Sequence, residues 1–174
     1  KSISVLKGFE ISDKNIEKGL LNVVKNTDLK GRWEIINNSP KTILDVGHNI
    51  NAFTINIKEI KKITYLKLRI VIAFVEGKDY KKILKLFPKN AFFYFCQLKI
   101  NRALNVDTVF NYSKEIGLQG KKFLNANSAY LSCLNESKNE DLVFVCGSNF
   151  LISEIINEKK KYLFYFFNFF TNWY

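Results

Sequence analysis

A chain of 174 residues with 47% hydrophobic residues is of a size for one domain with a real core. Its 3 cysteines (Cys96, Cys133, Cys146) are odd in number and form no C-x-x-C pair, which argues against a disulfide frame or zinc site and for a reduced, cytoplasmic setting. The formal net charge of +11 invites a nucleic-acid reading, but the lysines are scattered over positions expected on solvated faces, so neither nucleic acid nor membrane is expected as a partner.

The sequence starts Lys1-Ser2-Ile3-Ser4-Val5, contains no methionine, and lacks an early apolar run of signal-peptide length. It is therefore expected to be a piece of a longer or processed polypeptide. Ser12-Asp13-Lys14-Asn15 is a helix-start signal, and Ile16, Leu20, Val23 and Val24 follow at helical spacing until Asn26-Thr27-Asp28. From Leu29 strands and helices alternate. Strands are predicted over Trp33–Ile36 and Thr42–Leu44, then a helix over Asn49–Ile60 with Ala52, Phe53, Ile57 and Ile60 on one side. A buried strand is predicted over Leu66–Val75, a helix over Asp79–Leu86 stopped by Pro88, and a strand over Ala91–Cys96. Then come a helix over Val106–Ile116 closed by Gly117, a short strand Lys122–Leu124, a helix Asn127–Ser137, a strand Leu142–Cys146 and a helix Ser148–Asn157. This alternation implies βαβ units: an α/β, Rossmann-like three-layer domain with a mainly parallel sheet and helices on both faces.

Lys159-Lys160-Lys161 precedes an aromatic stretch, Tyr162 to Tyr174. It is shorter than the ~20 residues of a membrane span. Packing on a partner, or sequence past the end of the domain, is expected in preference to a membrane anchor.

Asp45-Val46-Gly47-His48-Asn49 follows the second predicted strand and holds the only histidine. Polar groups at the carboxyl end of a buried strand mark the ligand edge of an open α/β sheet. Asp45 can accept hydrogen bonds from a ribose diol or a metal-bound water, Gly47 permits a tight turn, and His48 and Asn49 sit where free helix N–H groups can face an anion. The plainer alternative stays open: Asn49 a helix cap, Asp45 a turn former, His48 a satisfied ring. Arg32 offers a guanidinium fork suited to phosphate oxygens, and Ser148, between the last strand and last helix, is a carboxylate site, a cap, or both. Lys78-Asp79 and Arg102 fall after strands at the same edge and receive low weight. Cys146 reads as a small buried hydrophobe. There is no G-x-x-x-x-G-K-[ST] phosphate loop.

Gly31-Arg32-x-Glu34, a short strand, then Asp45-x-x-His48-Asn49 resembles the start of the C-terminal domain of Mur ligase-type enzymes. More narrowly, it is similar to dihydrofolate synthase/folylpolyglutamate synthase. Gly77-Lys78-Asp79, Leu86-Phe87-Pro88, Arg102-Ala103-Leu104 and Cys146-Gly147-Ser148-Asn149-Phe150 agree in order, and the likeness runs from about Leu29 to about Ile156. One departure is Val46-Gly47, where many members have Gly-Ala; the Asp-to-His spacing is unchanged.

The resemblance implies residues 1–28 as the end of an N-terminal ATPase domain with its linker, 29–158 as the C-terminal domain, and 159–174 as a tail. It implies an ATP-dependent ligase that joins L-glutamate to dihydropteroate or folate through an acyl phosphate. Arg32 and Asp45 would meet ATP at its phosphates and ribose. His48, Asn49 and Ser148 would serve glutamate, with His48 the candidate catalytic residue. Mg2+ would be held mainly by the ATPase domain, which would be the partner, and a monomer is expected. This chain alone should be inactive. A cell-wall amino-acid ligase domain, a non-catalytic α/β binding module and a gene remnant are the alternatives.

Overall fold

The computed structural model describes residues 11–157. The aromatic stretch expected to be a tail lies outside them. The chain divides into two compact units, meeting in sequence between Lys30 and Gly31.

The first unit contains α1 (Asp13–Leu21) and α2 (Val23–Thr27). Ser12 caps α1 by accepting a hydrogen bond from Asn15 N. The sequence pattern predicts one helix here, but it breaks at Asn22. Its side-chain amide donates to Lys18 O at 2.8 Å, a local bond that competes with the helix ladder. Neither helix buries a residue, and Leu20, Leu21 and Val24 are exposed.

The second unit is a six-stranded sheet: β1 (Glu34–Asn38), β2 (Lys41–Asp45), β3 (Leu68–Ile72), β4 (Phe92–Cys96), β5 (Gln119–Phe123) and β6 (Leu142–Cys146). The spatial order is β1-β2-β6-β3-β4-β5. Only β1 runs antiparallel, hairpinned onto β2 through a turn holding the cis Ser39–Pro40 peptide. The remaining pairs are parallel, with Asp45 level with Cys146 and Cys146 level with Ile72. The carboxyl ends of β2, β6 and β3 therefore share one edge.

Helices α3 (Ile50–Ile60), α4 (Tyr80–Leu86) and α5 (Val106–Glu115) cover one face; α6 (Ala126–Glu136) and a last helix over 149–157, α7, cover the other. Side-chain alternation along the strands produces these two layers. In β6, Leu142, Phe144 and Cys146 pack with Phe53, Ile57 and Ile83, whereas Val143 and Val145 pack with Ala129, Tyr130 and Leu151. Both faces are covered, so β4 and β6 read as unbroken apolar runs and β3 is interrupted only by Arg69. This is the three-layer, mainly parallel α/β fold expected from the sequence.

Two strand boundaries differ from the sequence expectation. β3 is shorter than Leu66–Val75 because its ladder to β6 and β4 ends at Ile72; beyond it only Val75 makes an isolated bridge, to Ala103. β5 begins at Gln119, earlier than expected, and Leu124 lies outside it and is exposed. An edge strand with exposed Gln119, Lys121 and Lys122 carries too little apolar signal to be bounded from sequence. Among the described residues, no helix is long and apolar enough to cross a membrane.

Candidate functional site

β2 leads into α3 on one face of the sheet, and β6, its neighbour, leads into α7 on the other. Consecutive loops thus leave the sheet on opposite sides, which opens a crevice at the carboxyl ends of β2, β6 and β3. The sequence-predicted residues Asp45, His48, Asn49 and Ser148 all lie on the loops at this edge.

Asp45 is the last residue of β2 and only 8% exposed. Its Oδ1 accepts from Gly47 N at 2.8 Å and from Asn56 Nδ2 at 2.8 Å, and its Oδ2 accepts from Trp33 N at 3.0 Å. One carboxylate thus ties the start of the β1 arm, the β2–α3 turn and the body of α3. Gly47 is required there by close approach: a Cβ at this position would lie 2.7 Å from Asp45 Oδ1 and 3.1 Å from Asn56 Nδ2. The turn returns to the β1 side through Val46 N, which donates to Gly31 O at 2.8 Å.

His48 is exposed, with Nδ1 3.1 Å from Val46 O. A carbonyl only accepts, so in this contact Nδ1 is the donor and Nε2 is left for another partner. Asn49 caps α3 by accepting from Ala52 N at 2.9 Å. The cap reading left open for Asn49 is therefore realised.

A groove of about 390 Å³ is lined by His48, Asn49, Ile50 and Asn51 from the β2–α3 side and by Gly77, Lys78, Asp79 and Ile83 from the β3–α4 side. That volume suits a small ligand. Asp79 is occupied elsewhere: it caps α4 through Lys82 N and pairs with Lys82 Nζ at 2.7 Å, and these contacts hold its carboxyl below the usual range. Lys78 is the lining residue that sequence placed at this edge with little weight; the fold sets it on the groove beside His48.

Ser148 is buried, two residues beyond β6, and its Oγ accepts from Phe150 N at 3.2 Å. It sits on the loop that follows β6, the strand adjacent to β2, and does not line the His48 groove. Arg32 is exposed in the segment entering β1 and likewise lies off the groove lining. Arg102, from the loop after β4, stacks its guanidinium 5.3 Å above the Phe150 ring in α7. Sequence reasoning missed Asn56 altogether. Nothing in its type or spacing separates it from a solvated position on α3, yet it is buried against Asp45.

Among the described residues there is no group of three or more His, Cys, Asp or Glu side chains able to hold a metal ion. Cys96, Cys133 and Cys146 are buried free thiols. Burial pushes all three above the ordinary thiol range, which makes them packing groups and not nucleophiles.

Fold and crevice together define an open α/β domain with its ligand edge at the ends of β2, β6 and β3. The chain is similar, in sequence and in fold, to the dihydrofolate synthase/folylpolyglutamate synthases. That enzyme from Buchnera aphidicola subsp. Schizaphis graminum is 27% identical over 159 residues, covering 90% of this chain and 36% of the relative. The structure of E. coli FolC in complex with ADP, without folate substrate, superposes with a TM-score of 0.76 at 25% identity, over 88% of this chain and 37% of that one. A bifunctional folylpolyglutamate synthase/dihydrofolate synthase with Mn, AMPPNP and L-glutamate bound shares the fold with a TM-score of 0.76 at 21% identity, over 88% of this chain and 36% of that one. No family model matches the chain. The chain spans about a third of the length of the curated relatives it matches.

Proposed function

We propose that this chain is the C-terminal domain of an ATP-dependent ligase that adds L-glutamate to dihydropteroate or folate through an acyl phosphate. The observation that carries the reading is the Asp45–His48–Asn49 turn: it combines the resembling family's motif with the geometry of a ligand crevice, on a fold shared with FolC bound to ADP. Residues 1–28 would be the end of an ATPase domain and its linker, with the C-terminal domain at 29–158.

In this reading the ATPase domain forms the acyl phosphate and the present domain closes over it. Arg32 takes phosphate oxygens with a fork that stays charged at any working pH. Asp45 accepts from the ribose. The groove beside His48, together with Ser148, holds the incoming glutamate so that its amine is aligned and water is excluded. Nε2 of His48, left for another partner by the Nδ1 contact, orients that amine. ATP in such enzymes works with a divalent cation, which supplies charge neutralisation on the phosphates. The described residues hold no group of three or more His, Cys, Asp or Glu side chains for it, and in this reading the ATPase domain would hold it. A cytoplasmic monomer is part of the same reading, in keeping with three unpaired cysteines.

The test is ADP release by the purified gene product that carries this chain. Release should require both L-glutamate and a pteroate or folate acceptor, and His48→Ala should lower it at least ~100-fold. ADP release indifferent to glutamate, or driven instead by a cell-wall precursor, would sink the proposal.

A further inference from the structure

The surroundings of Asp45 limit what it can offer a ligand. An ionised carboxylate has about two acceptor positions on each oxygen. Oδ1 already takes two donors, Gly47 N and Asn56 Nδ2, both at 2.8 Å. Oδ2 takes one, Trp33 N at 3.0 Å. One acceptor position is left on the whole group. Gripping both hydroxyls of a ribose diol, the arrangement the sequence alone suggested, needs two.

We propose that Asn56 is a positioning residue for the nucleotide: by filling Oδ1 it leaves Oδ2 of Asp45 as the one available acceptor, so that this domain holds a single ribose hydroxyl. The inference rests on the nucleotide role proposed for Asp45. Asn56 is suited to the task because it is itself 6% exposed and stands in the middle of α3, where its backbone is fixed. Backbone donors hold the carboxylate from the β1 and turn sides, and among the described residues Asn56 is the one side chain that does so.

Gly47 belongs to the same device. An alanine Cβ would stand 2.7 Å from Oδ1 and 3.1 Å from Asn56 Nδ2, so it would part the two groups. This gives a physical reason for the departure at Val46-Gly47. With glycine at 47, the contact between Asn56 and the carboxylate is uncrowded; a methyl there would press on both groups from the side. Gly47 and Asn56 therefore pack together around Oδ1, and it is loss of the Asn56 amide that frees a position there.

The experiment measures binding of ATP, 2′-deoxy-ATP and 3′-deoxy-ATP by the purified gene product, wild type and Asn56→Leu, with thermal unfolding in parallel. In the wild type, one deoxynucleotide should bind at least about tenfold more weakly than ATP, the cost of one hydrogen bond to a charged group, and the other within about twofold. Asn56→Leu should shrink that difference to about threefold or less while the protein stays folded. If the leucine variant does not fold, Asn56→Ala supplies the same readout, because it removes the same Oδ1 donor without adding bulk. Equal losses with both deoxynucleotides would overturn the single-acceptor inference. So would a wild-type difference that survives in both variants. In either case the ligase reading stands, because ATP still binds. A gene product that binds no ATP overturns the ligase reading itself and this inference with it.

Discussion

Arg69 Nε and Asp141 Oδ2 lie 2.7 Å apart at the end of the sheet opposite the crevice, where β3 and β6 begin. The guanidinium also donates to Tyr94 Oη at 2.7 Å, and that hydroxyl donates to Glu136 at 3.1 Å. Burial pushes the Asp141 carboxyl up, but hydrogen bonds from Arg69 and from Lys138 N outweigh it, so the group ends below the ordinary aspartate value. A folded value below the unfolded ~3.9 means that this pair adds stability above about pH 4 and loses it as pH falls through the lower folded value.

Asp141→Asn should therefore lower stability at pH 7 by about 3 kcal/mol, since it leaves a buried guanidinium without its counter-charge. The gap from wild type should begin to narrow as the pH is taken below about 4, where the unfolded carboxyl protonates, and close as the pH falls through the lower folded value. Urea unfolding at pH 7, 5 and 3 reads this directly. A gap of constant size across that range would mean that the ion pair contributes nothing through its charge.

Gly147 marks the other end of β6. Its φ is 105°, in the range that favours glycine, and a Cβ there would stand 2.4 Å from the carbonyl oxygen of Ala73. Gly147→Ala should cost at least about 2 kcal/mol from strained backbone and a displaced β3 end. It should also shift Ser148, so KM for glutamate in the gene product should rise along with the loss of stability. An unfolding midpoint unchanged by the substitution would show that the β6–α7 turn is looser than its geometry says.

The thiols offer a check on the core. Cys133 is pushed up to about 12 by burial, and burial likewise raises Cys96 and Cys146 well above the ordinary thiol range. All three should resist a thiol reagent at pH 8 in the native protein and react together on unfolding in urea. Fast labelling of any one without denaturant would place it outside the packed layers.

Much of this architecture was legible because β3, β4 and β6 are mostly apolar segments separated by helical repeats, and packing on two faces requires that pattern. The legible part of the site was equally local: Asp45, His48 and Asn49 are neighbours in sequence, and the strand-to-helix turn that holds them has its own signature. Non-local relations stayed hidden. Asn56 is a polar residue on an amphipathic helix until the distance to Asp45 is known. Lys78 gains meaning only when β3 is placed two strands from β2, and the Arg69–Asp141 pair joins residues 72 positions apart. Edge strand β5 and the break at Asn22 were displaced for a different reason: each is decided by hydrogen bonds that leave little trace in hydrophobic spacing.

His48 and Ser148 are both assigned to glutamate, but their environments predict different behaviour. His48 is exposed, and its ring contact among the described residues is within its own loop, to Val46 O. His48→Ala should leave the urea midpoint unchanged, a stability effect within about 0.5 kcal/mol, as for an ordinary surface substitution. Its whole effect should be on catalysis. Ser148 is buried, and its hydroxyl caps α7 through Phe150 N. Ser148→Ala should therefore cost about 1 kcal/mol for the lost cap as well as raise KM for glutamate. Measuring urea midpoints and glutamate KM for both variants separates the roles. If Ser148→Ala destabilises the protein but leaves KM untouched, the serine is a helix cap alone, and the glutamate contact falls to His48 and the groove beside it.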